Sequence, residues 1–365
     1  MTMITIRSLG LLRGILAAGA AAILALGAAP VHAQTQPAPA AAPTGKNDAL
    51  FMYRGADRDK VLLERAKQEG SVMVYTSFAA LESSILAKAF EKKYGIKVEL
   101  WRGLSDKVLQ RTVTEGRAHR AAVDVIETNS PEMEMMTREN LLSKFYSPYI
   151  ADLPPNAAAP NRFWVTERVA IFVVAFNTNK YKRADMPKNY EDFLDPKWKG
   201  QIGLEATDSE WMATVIKKMG VEKGTAFFQK LATMNPDVRT GHSLLTEMVA
   251  AGEVPVALTI YNANAESLKL RGAPIDWIPV DPVVGRPQGL GIAKAAPHPY
   301  AAMLFADFVL SPEGQQLFAT MGVVPSSLKI KSNLNNFPYA SIDPITALDE
   351  SEKWQAMWDK LFVKK

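Results

Sequence analysis

Three short stretches place ligand-capable side chains directly after runs that suit buried strands. Thr76-Ser77 follows Ser71–Tyr75, Glu127-Thr128-Asn129 closes Val123–Ile126, and Tyr261, Asn262 and Asn264 follow Val254–Ile260. A fourth stretch, Thr207-Asp208-Ser209-Glu210, opens into a helix-period run. Arg102 ends another strand-like run beside a helix start, where a guanidinium suits a carboxylate or phosphate, or pairs with Asp106. Three chemistries are open to these residues. Tyr261, Glu127, Asp208 and His242 offer oxygens and an imidazole to a metal such as iron. Glu127, Asp208 and Glu210 beside Phe78, Trp101 or Trp211 suit an organic cation such as a polyamine. Thr76, Ser77 and Arg102 at helix N-termini suit an anion, a phosphonate or carboxylate.

Each residue also has a structural reading. Tyr261 can pack with its hydroxyl tip in water, and Asn262 and Asn264 suit a turn. Asp208 and Glu210 stabilise a helix start, and His242 precedes another helix. Glu127 after an apolar run needs a partner or solvent. Arg168 interrupts Phe163–Phe176 and suits a hinge ion pair with Glu167 or another acid. Arg286-Pro-Gln-Gly-Leu-Gly291 is glycine-rich, but no Lys-Ser/Thr follows it, so it is not a phosphate loop.

Catalytic constellations are lacking. There is no cysteine, no Gly-x-Ser-x-Gly and no His-Glu-x-x-His. A secreted hydrolase is the competing class. The expectation is a binding protein that is not an enzyme and requires no cofactor.

Elements must hold these residues. Helical spacing runs through Asp57–Glu69, Leu81–Tyr94 and Ser105 to about Glu115, with Gly70, Gly95 and Gly116 as stops. Between them lie strands at Ser71–Ser77, Ile96–Trp101 and Val123–Glu127; Ser130-Pro131 then opens a Met-rich helix. The repeated strand–helix order predicts a mostly parallel sheet flanked by helices, with ligand loops at the carboxyl ends of strands. After a Pro/Ala-rich loop at 152–161, Phe163–Phe176 reads as one or two strands crossing into another lobe. A second series follows: strands at Gln201–Leu204, Val254–Tyr261, Ile275–Val280 and Leu290–Lys294, with helices at Trp211–Met219, Lys223–Leu231 and Leu244–Ala250. Helices opened by His298-Pro299 and Ser311-Pro312, and a final helix Ser351–Phe362, complete the chain.

The 365 residues carry a formal charge of +4 with basic and acidic residues interleaved, and no basic-aromatic stripe for nucleic acid. Arg7 and Arg13, the apolar Ile15–Ala29 and Val31-His32-Ala33 read as a signal peptide over 1–33. An Ala/Pro-rich linker follows over 34–47.

The combination of VMVYTSFAALESSILAKAFEKKYGIKVEL, VDVIETN, DPKWKGQIGLEATDS, AAGEVPVALT and AAPHPYAAMLFADFVLSPEGQQLF resembles extracellular solute-binding proteins of ABC importers. Within them it resembles the periplasmic ferric-iron-binding family, over about residues 70–330. The resemblance implies a two-lobed, type II-like α/β fold with crossover strands and a ligand cleft between the lobes. Lobe 1 would be 48–165 plus 275–326 and lobe 2 166–274 plus 327–365, with the return near Ile275. It implies a periplasmic monomer serving an inner-membrane permease with a cytoplasmic ATPase, and ferric iron or a related solute as cargo.

The chain departs from that family where iron is held. Ala79 stands at the place of the family's histidine. Asn129, with Glu127 two residues earlier, stands where a carboxylate is expected, and Tyr261-Asn262-Ala263 replaces a tyrosine pair. In the family's anion loop Thr207 and Ser209 are retained, but Asp208 and Glu210 make it acidic.

Overall fold

The computed structural model describes residues 45–120, 122–158 and 163–363. The expected signal peptide and all but the last three residues of the expected linker lie outside them. Those three belong to the folded body: Asn47 is buried and its amide donates to Ala296 O at 3.2 Å.

The first strand–helix series reads α1 (Asp48–Phe51), α2 (Arg58–Glu69), β1 (Ser71–Thr76), α3 (Ala80–Tyr94), β2 (Lys97–Arg102), α4 (Ser105–Arg117), β3 (Val125–Asn129), α5 (Ser130–Arg138) and β4 (Leu142–Ser143). Left-handed glycines Gly70 and Gly95 end α2 and α3 as expected. Gly116 does not end α4. It lies inside the helix, where a Cβ would meet Leu141 at 2.5 Å, so close packing accounts for it.

The apolar run after residue 163 forms one strand, β5 (Trp164–Asn177), buried along its whole length. Burial on both faces explains why the run does not alternate. Then come β6 (Ile202–Glu205), α6 (Ser209–Met219), α7 (Val221–Thr233), β7 (Asp237–Arg239), α8 (His242–Ala251), β8 (Val256–Tyr261), α9 (Asn262–Leu270) and β9 (Ile275–Ile278). The chain closes with β10 (Val284–Ala293), α10 (Pro299–Leu310), α11 (Pro312–Thr320), β11 (Val324–Pro325), β12 (Ala340–Ser341), α12 (Pro344–Asp349) and α13 (Ser351–Trp358).

The main strand order is β2-β1-β3-β10-β5-β8-β6-β7. Both ends of this sheet are parallel, whereas β3–β10, β10–β5 and β5–β8 pair antiparallel. Thus two parallel α/β halves are joined through the antiparallel crossover strands β5 and β10. The return crossing is β10, not the segment at Ile275, which instead forms β9 and pairs with the far end of β5 at Val174–Asn177.

β5 also divides the core of the second half. Phe172, Val174 and Phe176 pack with α6, α7 and α13. Ile171, Val173 and Ala175 pack with α8 and α9. Strand alternation therefore puts α6 and α13 on one face of the sheet and α8 and α9 on the other. The first half has its own core, from Phe51 to Val165 with Leu290 to Val323. Among the described residues no helix is long and apolar enough to cross a membrane.

Candidate functional site

A cleft of about 800 Å³ opens where strand ends and helix N-termini of both halves face each other. Its walls include Ser77, Arg102 and Asn129 from the first half, and Thr207, Ser209 and Glu210 from the second. Phe78, His242, Tyr261 and Asn264 complete the expected residues that line it. An adjoining recess of about 390 Å³ shares Ala79, Arg102, Ser243 and Asn264 with it.

Five expected residues sit behind the walls. Thr76 accepts from Phe78 N at 2.9 Å, tightening the turn into α3. Asn262 is the first residue of α9, not a turn residue; its amide donates to Leu334 O at 2.9 Å and its carbonyl accepts from Ala263 N. Glu127 and Thr128 are buried, and Glu127 Oε1 and Thr128 Oγ1 have no hydrogen-bond partner among the described residues. Burial raises the Glu127 carboxyl, while Arg168 and Thr76 pull it back. Asp208 is fully buried and holds other groups in place.

The hub of those groups is Arg286, with 2 % of its side chain exposed. It comes from the glycine-rich stretch that reads as no motif, which is instead the central part of β10. Its Nε donates to Glu210 Oε2 and its Nη2 to Asp208 Oδ1, each at 3.2 Å, and its Nη1 donates to the Tyr261 hydroxyl. Phe172 lies 4.8 Å beneath the guanidinium. Burial opposes a charge here, but Tyr261, Glu210, Asp208 and Glu132 around it hold Arg286 well above its ordinary pKa. Every nitrogen of the fork is occupied, which is the condition under which a buried arginine is tolerated.

Tyr261 is therefore committed. Burial lifts its phenol well above the ordinary range, and Arg286 offsets this only in part. The His242 ring stacks on it, with centroids 3.8 Å apart and planes 8° from parallel. His242 Nε2 meets Asp208 Oδ2 at 3.1 Å. Glu205, Asp208 and His242 each offer an atom within 4.8 Å of the other two. Glu205 is already satisfied: its carboxylate accepts from Thr207 N and Oγ1 at 2.6 and 2.7 Å and from Gly241 N at 2.8 Å. The acids of the 205–210 loop thus have internal partners, which accounts for its acidity.

Arg168 and Glu167 are in ion-pair contact, both buried, but neither Glu167 carboxylate oxygen nor Arg168 Nη1 makes a hydrogen bond among the described residues. Glu167 is the extra residue where Gln288 faces Arg168 and Gly289 faces Thr166, so a bulge breaks the alternation that would separate the two side chains. Burial lowers Arg168 to about 10, and Glu127 and Tyr261 raise it in part. Arg102 differs from both other arginines. Its Nε donates to Phe78 O at 2.9 Å, and it has no ion pair among the described residues. Asp106 pairs with Lys107 instead.

Arg286 and Glu132 escape sequence reasoning. Pro287 cannot donate to a ladder, so the stretch around Arg286 looks unlike a central strand. Glu132 lies in the first turn of α5, where an acid needs no further explanation, yet it lines the cleft with its Oε2 buried and without a hydrogen-bond partner among the described residues.

Two α/β halves, antiparallel crossovers and a polar cleft between strand ends define a two-lobed binding protein. The profile of the bacterial extracellular solute-binding protein family matches residues 86–359, and the chain belongs to that family. It is 24% identical over 247 residues to the Fe(3+)-binding periplasmic protein of Serratia marcescens, covering 63% of this chain and 71% of that one. Iron-bound HitA from Pseudomonas aeruginosa superposes with a TM-score of 0.68 at 25% identity, over 79% of this chain and 99% of that one. AfuA from Actinobacillus pleuropneumoniae, solved with fructose-6-phosphate, superposes with a TM-score of 0.69 at 22% identity, over 81% and 100% of the two chains.

Proposed function

We propose that this protein is the periplasmic binding component of an ABC importer and that its cargo is a small solute bearing an anionic oxygen group. In this reading residues 1–33 are removed, and two lobes close on the solute and deliver it to a membrane permease with a cytoplasmic ATPase. The lobes correspond to the first-half core with Leu290–Val323 and to the remainder. The protein works by capture and release, without turnover.

The observation that carries the choice of cargo is Arg102. Its guanidinium is anchored through Nε, lacks a carboxylate partner among the described residues, and stands in the cleft between the N-termini of α3 and α4. Partial positive charge at those termini adds to it. Arg286, by contrast, is hydrogen-bonded to buried acids, and Arg168 lies buried beside Glu167.

Ferric iron is the second reading. It is favoured by what the Serratia and Pseudomonas proteins are named for, and by the Glu205, Asp208 and His242 group. Against it, Arg286 occupies the Tyr261 hydroxyl and Asp208, so an ion at those atoms would have to displace a guanidinium.

Native mass spectrometry with metal analysis on protein taken from its own periplasm distinguishes the two. The expected result is an organic anion at one per chain without iron; stoichiometric iron with no organic mass would sink the reading. With the identified anion, Arg102→Ala is expected to weaken binding about 10- to 100-fold by calorimetry, the span of one charge-assisted hydrogen-bonded contact.

A further inference from the structure

We propose that the C-terminal helix α13 is a third wall of the cleft and that Glu352 and Gln355 select solutes carrying hydroxyl or amine donors away from the anionic group. This rests on the anionic-solute reading above.

The wall is rigid because its inner face is spent on packing. Trp354 and Trp358 are buried in the core shared with α6. Trp358 Nε1 donates to Ala206 O at 2.8 Å, directly before the Thr207–Glu210 loop of the site. Trp354 Nε1 donates to Glu350 Oε2 at 2.7 Å, and Lys217 Nζ on α6 meets the same oxygen at 2.7 Å.

The face at Ser351, Glu352 and Gln355 is left for the cleft, and all three residues line it. Positions 351 and 355 stand one turn apart and 352 beside them, so they share one side of the helix. Gln355 Nε2 donates to Asp359 Oδ1 at 2.8 Å, which orients the amide and leaves its carbonyl oxygen as the available group. Glu352 is exposed and makes no ion pair among the described residues. Both therefore present acceptors. α13 shares a sheet face with α6, whereas the recess beyond Arg102 is walled by α8 and α9 on the opposite face. A solute held at Arg102 reaches α13 only with its other end. Acceptors there reject a second anionic group and reward a donor.

The test is a thermal-shift and calorimetry panel on the full mature chain, using charge-matched pairs that differ in hydroxyl groups: fructose 6-phosphate against inorganic phosphate, citrate against tricarballylate, and gluconate against hexanoate. The hydroxylated member of at least one pair is expected to bind at least 5-fold more tightly. Gln355→Leu with Glu352→Leu is expected to erase that preference by weakening the hydroxylated member, and to weaken no plain member. Lys353→Ala, on the same helix, is expected to keep it. Equal binding of both members in every pair, or a preference that survives the double substitution, overturns the wall. Binding of no member of any pair overturns the anionic-solute reading, and the wall with it.

Discussion

The fold shifts the protonation of Glu132. Burial lifts its carboxyl from the ordinary 4.5 to about 8, and Glu210 adds to the rise while Arg286 opposes it. An acid raised in the folded state binds its proton more tightly there than in the unfolded chain. Below pH 4.5 both states are protonated and nothing is lost. As pH rises from 4.5 to 8 the unfolded chain releases its proton first, so the folded state loses stability, and the loss is complete above 8. Glu132→Gln is therefore expected to raise the urea midpoint relative to wild type at pH 9 and to bring little gain at pH 4. A gain as large at pH 4 as at pH 9 would show that the carboxyl does not titrate in this window. Residue identity signalled part of the site. The polar ends at Ser77, Asn129, Thr207 and Tyr261 were legible because polar side chains after buried strands need a reason. What Tyr261 does was not legible: its partner Arg286 is 25 residues away, and only the sheet brings them together.

At the scale of elements, β10 decides most. It crosses between β3 and β5 and carries Arg286 to the cleft. Its glycines serve packing. A Cβ on Gly289 would meet Met133 Cγ at 2.6 Å and Trp164 Cε3 at 2.8 Å, and one on Gly291 would meet Met133 Cε at 2.7 Å. α5 can therefore lie close against the strand. Gly289→Val is expected to cost about 1–3 kcal/mol by overpacking, measured by urea unfolding. An unchanged midpoint would show that α5 shifts freely, and the account of these glycines would fail. The helices α2, α3, α10 and α11 were readable from periodicity and caps, because those signals are local. Ser311, for example, caps α11 by accepting from Gly314 N at 3.2 Å. α9 was not readable, since Asn262 and Asn264 suit a turn as well as a helix start.

At the scale of the whole molecule, the contacts that tie the halves together include two side-chain pairs. Ser267 Oγ on α9 donates to Glu82 Oε1 on α3 at 2.8 Å. Arg138 on α5 pairs with Asp349 on α12 at 2.6 Å. Each is weak alone, the second because it is exposed. Together they bias the halves toward the arrangement seen here. The double variant Ser267→Ala with Arg138→Ala is expected to show a larger radius of gyration by small-angle scattering without solute. Arg183→Ala, which breaks the exposed pair with Asp276 within one half, is expected to leave it unchanged. Identical scattering from wild type and the double variant would remove these contacts as clasps.

By itself the sequence determined the α/β class, the apolar crossover run and the strand-end polar clusters. Each is a local property: side-chain type, period and cap chemistry act within a few residues. Tertiary structure alone decided that Arg286 neutralises Asp208 and Glu210 and holds Tyr261, that Arg102 is left without an acid among the described residues, and that α13 lines the cleft. Those outcomes depend on which charges share a low-dielectric space. Sheet order sets that, and it joins residues far apart in the chain.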